Sequence, residues 1–475
     1  MNNHYVSKFI IKRFSKVMNV FDLQKGKIEE KKKPDKIFCK KDIFTDEIEK
    51  LCCENIESKV ANILDKKISV CGTVVLTRDE LYTIKRYMLI CSVRTQTPED
   101  FYSILKTFKN KADLYFWLNK LSPLPTLQDL NLSPKDLYLR TLKVFSETYF
   151  IRDIYLNSLA TREMLAWAMP FLESYLAFWD APDDFEFILT DCGMCSEYEG
   201  IHMLTGGLDV SKSSYLMNQL RKGKEYCIPM MITNVSMYEN YDIYNLSAKR
   251  CMIMIHPFFR LYSKKDYYLN GKKTIIDEPD IWPAIIQDRS LFEVPSTKYV
   301  AGDPSIAFLS FDDEFLYTPK QLSKQDLVYI NSILLSQAKE IIGFNDSQQL
   351  LDSIAYLIWA SSNFQSVQSL KQTEEETFRY LVENIQKSTF NKLAAFCLNS
   401  GAKFQLDFIS LFENTISNIF KDLNNNPYIC DYFLENAQRT VECEALNFLG
   451  KGEKKLEFFR DLRKKIMEKR KNETV

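Results

Sequence analysis

The stretch Cys251-Met252-Ile253-Met254-Ile255 decides the fold class. It is short, apolar and bounded by turn formers, as is Phe185-Glu186-Phe187-Ile188-Leu189 upstream, and runs of this kind read as central strands. Between them lies an irregular stretch with Gly206-Gly207, read as loops around minor elements. Phe308 to Leu316 reads as a further strand, or as a loop carrying acidic residues. Helical spacing surrounds this strand-rich centre. Residues 99–180 read as mostly helical, with breaks near Ser122-Pro123-Leu124-Pro125, at Pro134 and at Pro170. From Ser323 the helical pattern returns, with helices expected around 323–343, 346–360, 373–398, 404–423, 427–449 and 453–471.

Toward the N-terminus, Asn19-Val20-Phe21-Asp22-Leu23, the turn Gln24-Lys25-Gly26-Lys27 and Ile28-Glu29-Glu30 spell a short hairpin. Ile48, Leu51, Cys52, Ile56, Val60, Ile63 and Leu64 at helical spacing predict an amphipathic helix over Asp46 to Lys66. Thr77 and Glu80 form a capping-box pair, each side chain able to satisfy the other residue's free backbone N–H. Leu81, Ile84, Met88 and Cys91 follow on one face of a helix that ends around Arg94, before Pro98. The fold class is therefore α+β. A mixed body over 1–345, with the N-terminal hairpin, helices and a central mostly antiparallel sheet, precedes a helical C-terminal extension over 346–475.

Composition bounds the function. The 475 residues carry 62 Lys plus Arg against 63 Asp plus Glu, and a net charge of -1 names no polyanionic or polycationic partner. Apolar residues at 46% and aromatics at 13% suffice for a large core, which excludes global disorder. With 13 glycines and no GxGxxG or GxxxxGK[ST] string, Gly-rich phosphate cradles are disfavoured. Twelve cysteines without a repeating framework, no signal-like apolar core at the N-terminus and no apolar run of membrane-spanning length imply a soluble cytoplasmic protein without a transmembrane segment.

Landmarks along the chain resemble a bacterial family, the domain of unknown function 4238. The family's N-terminal His-Tyr-Val-Pro element is similar to His4-Tyr5-Val6-Ser7-Lys8-Phe9, followed by a short strand matched by Val20-Phe21-Asp22. An Arg-Thr helix end resembles Val93-Arg94-Thr95, a Thr-rich strand end before Asp resembles Phe187-Ile188-Leu189-Thr190-Asp191, a strand running into Pro resembles Ile255-His256-Pro257, and a closing helix with Asn resembles Ile330-Asn331. The order is kept from about residue 3 to 345. Departures are Ser7 and Gln96 for two family prolines, and Cys192-Gly193 for Asn-Pro after the strand-end Asp. The family has no settled chemistry; the resemblance implies a setting among mobile-element and phage-defence genes.

His4, Arg94, Asp191, His256 and Asn331 stand at or beside these landmarks. If they converge, Arg can hold a phosphate in bidentate fashion, Asp can accept a proton or bind a metal, and His can act as acid or base. The competing reading makes His4, Arg94 and Asp191 a buried hydrogen-bonded network joining the N-terminal segment to the body. Cys192 and Cys195 form a CxxC, with His202 and Cys227 downstream, but lack the second ligand pair a zinc site needs and are read as half-buried packing residues. Phe311-Asp312-Asp313-Glu314 offers carboxylates that could hold Mg²⁺, though such clusters usually cap a helix or face solvent; Glu374-Glu375-Glu376 suits a helix first turn. Lys451 to Lys471 reads as a basic amphipathic helix, foremost a solvated terminal helix packing its apolar stripe on a neighbour, otherwise a dock for nucleic acid, an anionic membrane surface or a protein partner, with Glu453, Glu457, Asp461 and Glu468 weakening the nucleic-acid version.

Two functions follow as expectations. The first is a phage-defence effector enzyme acting on nucleic acid or nucleotides, a nuclease for instance, with Mg²⁺ as the metal such chemistry calls on. Arg94 would bind phosphate, with Asp191 and His4 or His256 handling protons or a metal. The alternative is a non-catalytic sensor or interaction module in which the same residues stabilise the fold.

Overall fold

Thr77 and Glu80 cap each other as the spacing predicts. The Thr77 hydroxyl accepts from the Glu80 amide at 3.2 Å, and the Glu80 carboxylate accepts from the Thr77 amide at 2.8 Å and from Lys67 Nζ at 2.6 Å. The helix they start, Arg78–Arg94, buries not only Leu81, Ile84, Met88 and Cys91 but also Thr83, Lys85, Arg86, Ser92 and Arg94. A helix enclosed on all sides must find partners for its polar side chains inside the fold.

The computed structural model describes residues 2–41, 43–69, 72–111, 124–148, 151–173, 175–197, 241–255, 294–295, 314–317, 319–362 and 374–405. Its elements open with β1 (Asn2–His4), α1 (Lys8–Phe14), β2 (Met18–Asp22), β3 (Lys27–Lys32) and β4 (Cys39–Lys41). One continuous helical stretch follows, α2 (Asp46–Cys52) and α3 (Ser58–Ile63) joined and extended by single π turns at Cys53–Glu57 and Leu64–Ile68. Next come β5 (Val74–Thr77), α4 (Arg78–Arg94), α5 (Pro98–Lys111), α6 (Leu127–Leu130), α7 (Pro134–Glu147), α8 (Ile151–Leu156) and α9 (Arg162–Glu173). The strand-rich centre holds β6 (Tyr175–Asp180), β7 (Leu189–Thr190), β8 (Met194–Glu197), β9 (Tyr241–Asn245), β10 (Arg250–Ile255), β11 (Val294–Pro295), β12 (Glu314–Tyr317) and β13 (Lys320–Gln321). The remainder is α10 (Lys324–Gln337), β14 (Ile341–Phe344), α11 (Ser347–Ser362), α12 (Glu374–Gln386) and α13 (Asn391–Asn399).

The class is α+β, with the strands of the described residues in four small sheets ordered β3-β2-β14-β7, β13-β6-β10-β9-β8, β11-β12-β5 and β1-β4. Every ladder is antiparallel except β13 with β6. The N-terminal hairpin forms as β2 and β3, turning at Gly26 with φ 57°. The 46–66 helix and the Cys251–Ile255 strand form where their patterns place them. α4 is the hub: α3, α7, α9, β5 and β8 all pack on it. At the other end α11 packs on α10, with Tyr329 and Tyr356 edge to face at 6.1 Å, and carries α12 and α13 against it. No described helix is long and apolar enough to cross a membrane.

Several expectations need correction. Tyr175–Asp180 lies in the part read as helical, yet it is the full-length antiparallel partner of β10. Leu176, Ala177, Phe178 and Trp179 are all buried, and a continuous apolar run has no period by which to tell strand from helix. α9 continues three residues beyond Pro170, so that proline precedes the end of the helix instead of breaking it. The 323–343 helix stops at Gln337, and residues 341–344 enter the sheet between β2 and β7. The 373–398 helix divides into α12 and α13. The helices expected at 404–423, 427–449 and 453–471, Gly206-Gly207, and Phe308 to Asp313 lie outside the described residues, save for residues 404–405.

Phe185–Leu189 is corrected in an informative way. Only Leu189 and Thr190 form ladder pairs; of the preceding backbone, the Phe187 amide donates to the Ala248 carbonyl at 2.8 Å and the groups of Glu186 and Ile188 are held by side-chain amides. Asn331 Oδ1 accepts from the Ile188 amide and its Nδ2 donates to the Glu186 carbonyl, both at 3.1 Å. Gln349 accepts from the Glu186 amide at 2.6 Å, and Asn245 donates to the Ile188 carbonyl at 2.6 Å. Asn331→Leu keeps the volume but strands a buried donor and acceptor, and should lower stability by roughly 2–4 kcal/mol, read from the denaturant midpoint.

Candidate functional site

Arg94 occupies the last turn of α4, where a cation also suits the helix dipole, and is 3% exposed. Its Nη1 donates to Glu57 in the first π turn, and Nη2 to the His4 carbonyl at 2.5 Å and to Glu49 on α2 at 3.5 Å. The guanidinium carbon stands 4.8 Å from the centre of the Phe44 ring, and Ser7 donates to the same Glu57 oxygen at 2.6 Å. Burial, with the Glu57 charge beside it, pushes the Glu49 carboxyl above the ordinary range against the pull of Arg94. Two carboxylates, one guanidinium and a backbone carbonyl thus clamp the N-terminal segment onto α2, the π turn and α4.

His4 meets Arg94 through its backbone, not its ring. The half-buried imidazole is held toward its neutral form, first by burial and then by the charges of Lys8 and Arg94, while the Pro34 carbonyl acts the other way. Its Nε2 is buried without a hydrogen-bond partner.

Asp191 sits in the turn between β7 and β8. Its carboxylate accepts three consecutive backbone amides, Lys339 at 2.9 Å, Glu340 at 2.6 Å and Ile341 at 3.3 Å, and its own amide donates to the Ile341 carbonyl at 3.2 Å. This explains why the helix after Ser323 ends early: Asp191 captures the amides that would continue it and turns the chain into β14. Burial raises the carboxyl despite these three donors. Neighbouring Cys192 donates to the Gln337 carbonyl at the end of α10. Gly193, at φ 66°, lets this turn close on the end of α4, where a Cβ would stand 2.8 Å from Thr95 Cγ2. Lys339 completes the junction, its Nζ donating to Gln96 Oε1 at 2.7 Å.

Of the five residues selected from the sequence, Arg94 and the backbone of His4 are brought into contact. Asp191 lies across the Thr95–Gly193 junction and is near enough to Tyr5 for its charge to add to the burial that raises that phenol. Asn331 belongs to the separate latch on Glu186 and Ile188. His256, His202 and Cys227 lie outside the described residues, as do Asp312, Asp313 and Lys451 to Lys471; Glu314 stands on β12 and Glu374 opens α12. Cys192 and Cys195 are free thiols and both buried, with Cys195 held protonated by its contact with Cys192 and by burial. Among the described residues no group of three or more His, Cys, Asp or Glu side chains could hold a metal.

Sequence reasoning missed Glu49, Glu57, Ser7 and Phe44. The available signal was acidic residues bordering the apolar stripe of the 46–66 helix, which need a buried cation once that helix is covered. It also missed an open cleft of about 630 Å³, lined by Asp184, Glu186, Lys249, Asp346, Gln349 and Gly401 among others, which none of the five candidates lines.

No curated protein and no solved structure matches the chain. Residues 2–348 match the family described as Protein of unknown function (DUF4238), the same span that holds the Arg94 clamp, the Asp191 turn and the Asn331 latch, and the chain belongs to that family.

Proposed function

We propose that the chain is a cytosolic bacterial defence protein acting as a non-catalytic sensor or interaction module, with the Arg94, Asp191 and Asn331 groups serving to shape it. The defence setting comes from the family resemblance. The mechanism is supported by one observation: these three side chains are buried and bonded to the protein's own backbone and carboxylates. A catalytic Arg or Asp needs a free fork or lone pair facing a pocket, and here those groups close turns and strap segments together.

A second reading, an effector enzyme acting on nucleic acid or nucleotides, is favoured by His4 alone. Burial holds its ring toward the neutral form and its buried Nε2 is unpaired, two of the features of a general base.

His4→Ala, Arg94→Ala and Asp191→Ala, each scored for melting temperature and for protection of cells against phage, separate the two. Protection that declines in step with melting temperature supports the structural role. Protection abolished by His4→Ala at an unchanged melting temperature, or turnover of DNA, RNA or nucleotides by the pure protein with or without Mg²⁺, would sink it.

A further inference from the structure

The chain's balanced charge conceals a strongly basic N-terminal stretch. Residues 8–41 contain twelve Lys and Arg against four Asp and Glu, so the rest of the chain is acidic on balance. The fold gathers these cations. α1 packs against a single 3-10 turn, Pro34–Lys36, and Lys8 pairs with Asp35 on it. Lys12 acts on the same carboxylate, so Lys8, Lys12, Lys33 and Lys36 surround that turn. Lys32 stands opposite Met18 in the hairpin register, and the Lys31 amide donates to the Asn19 side chain at 3.2 Å. Lys31 therefore lies beside β2 at Asn19, three residues along the chain from Lys16.

Lys8, Lys12, Lys16, Lys31, Lys33 and Lys36 are all exposed, and among the described residues only Lys8 of these six has an ion-pair partner. Five lysines outside any described ion pair, on a frame stiffened by a helix, a hairpin and the β1-β4 ladder, are a multivalent cationic surface. The aromatic residues of this segment argue for the kind of anion. Tyr5, Phe14, Phe21 and Phe38 are buried, Phe9 is half-buried with its ring against Tyr87 and under Arg13, and the exposed large apolar side chain here is Val17. The face thus offers no exposed ring on which an unpaired base could stack, Phe9 being taken up by Tyr87 and Arg13, and no wedge for a bilayer. Lysine contributes point charges that contact phosphates without reading base edges.

We propose that this face binds the phosphate backbone of a nucleic-acid duplex without reading its sequence. The inference rests on the sensor reading above and names the class of molecule sensed.

The test is fluorescence anisotropy of the full chain with a labelled random-sequence DNA duplex over a range of salt concentrations. The affinity should fall with salt with a log–log slope of about 0.9 per phosphate contacted, hence roughly 3–5 for this patch. The triple variant Lys12→Glu, Lys33→Glu, Lys36→Glu should weaken binding by at least roughly tenfold at low salt and flatten the slope. A control of equal charge change at exposed Lys135, Lys387 and Lys403 should bind as the native chain does, with melting temperatures matched across all three proteins. Absence of duplex binding at low salt overturns the proposal. So does equal loss in the control variant, or binding to vesicles of phosphatidylcholine and phosphatidylserine but not to the duplex. Because these readouts involve neither phage protection nor the Arg94 and Asp191 groups, failure here leaves the sensor reading to its own test.

Discussion

Arg94→Ala is expected to lower stability by about 3–5 kcal/mol, because it leaves Glu57 and Glu49 as carboxylates in a partly buried site with their cation gone. The His4 carbonyl loses its donor and Phe44 its cation in the same step, so the N-terminal segment loosens as well. Chemical denaturation gives the size of the loss. A second substitution identifies its source: Glu57→Gln in the Arg94→Ala background removes one orphaned charge and should recover part of the stability, whereas Glu57→Gln alone should destabilise. Arg94→Lys should recover less than half, since one ammonium cannot span Glu57 and the His4 carbonyl in the planar fork geometry that Arg supplies. A native-like denaturation midpoint for Arg94→Ala would refute the clamp.

Asp191→Ala carries the next largest effect, roughly 2–4 kcal/mol, because one carboxylate serves three backbone amides and an alanine serves none. The loss should be uneven. β14 lies between β2 and β7, so releasing the amides of Lys339, Glu340 and Ile341 loosens the middle of that sheet first. Hydrogen exchange should speed up at these three amides and along 341–344 by more than it does within α4, which global destabilisation alone would not produce. Asp191→Asn should fall between native and alanine, since its carboxamide offers one oxygen and turns an NH₂ toward donors.

How much of this was legible beforehand varies with the range of the interaction. The Thr77–Glu80 cap, the hairpin at Gly26 and the helix over 46–66 were readable because each is settled within a few residues by apolar spacing or by a side chain reaching its own backbone. Tyr175–Asp180 was misread because a strand buried on both faces displays no alternation. Phe185–Ile188 was misread for the opposite reason: it resembles a strand, but at Glu186 and Ile188 the side chains of Asn331, Gln349 and Asn245 take the hydrogen-bonding place of neighbouring strands. Among the residues beside the landmarks, Arg94, Asp191 and Asn331 stand at junctions between segments distant in the chain.

The sequence by itself determined the α+β class, the helix starts at Asp46, Arg78 and Lys324 and the family, all of which depend on patterns over short windows or on the order of landmarks. Only the tertiary structure decided what the polar landmarks do. Arg94 meets Glu57 across 37 residues of chain, and Asp191 meets Lys339 across 148. Neither pairing has a local signature, because a buried charge requires a partner of opposite sign or a set of amides without specifying where along the chain that partner lies.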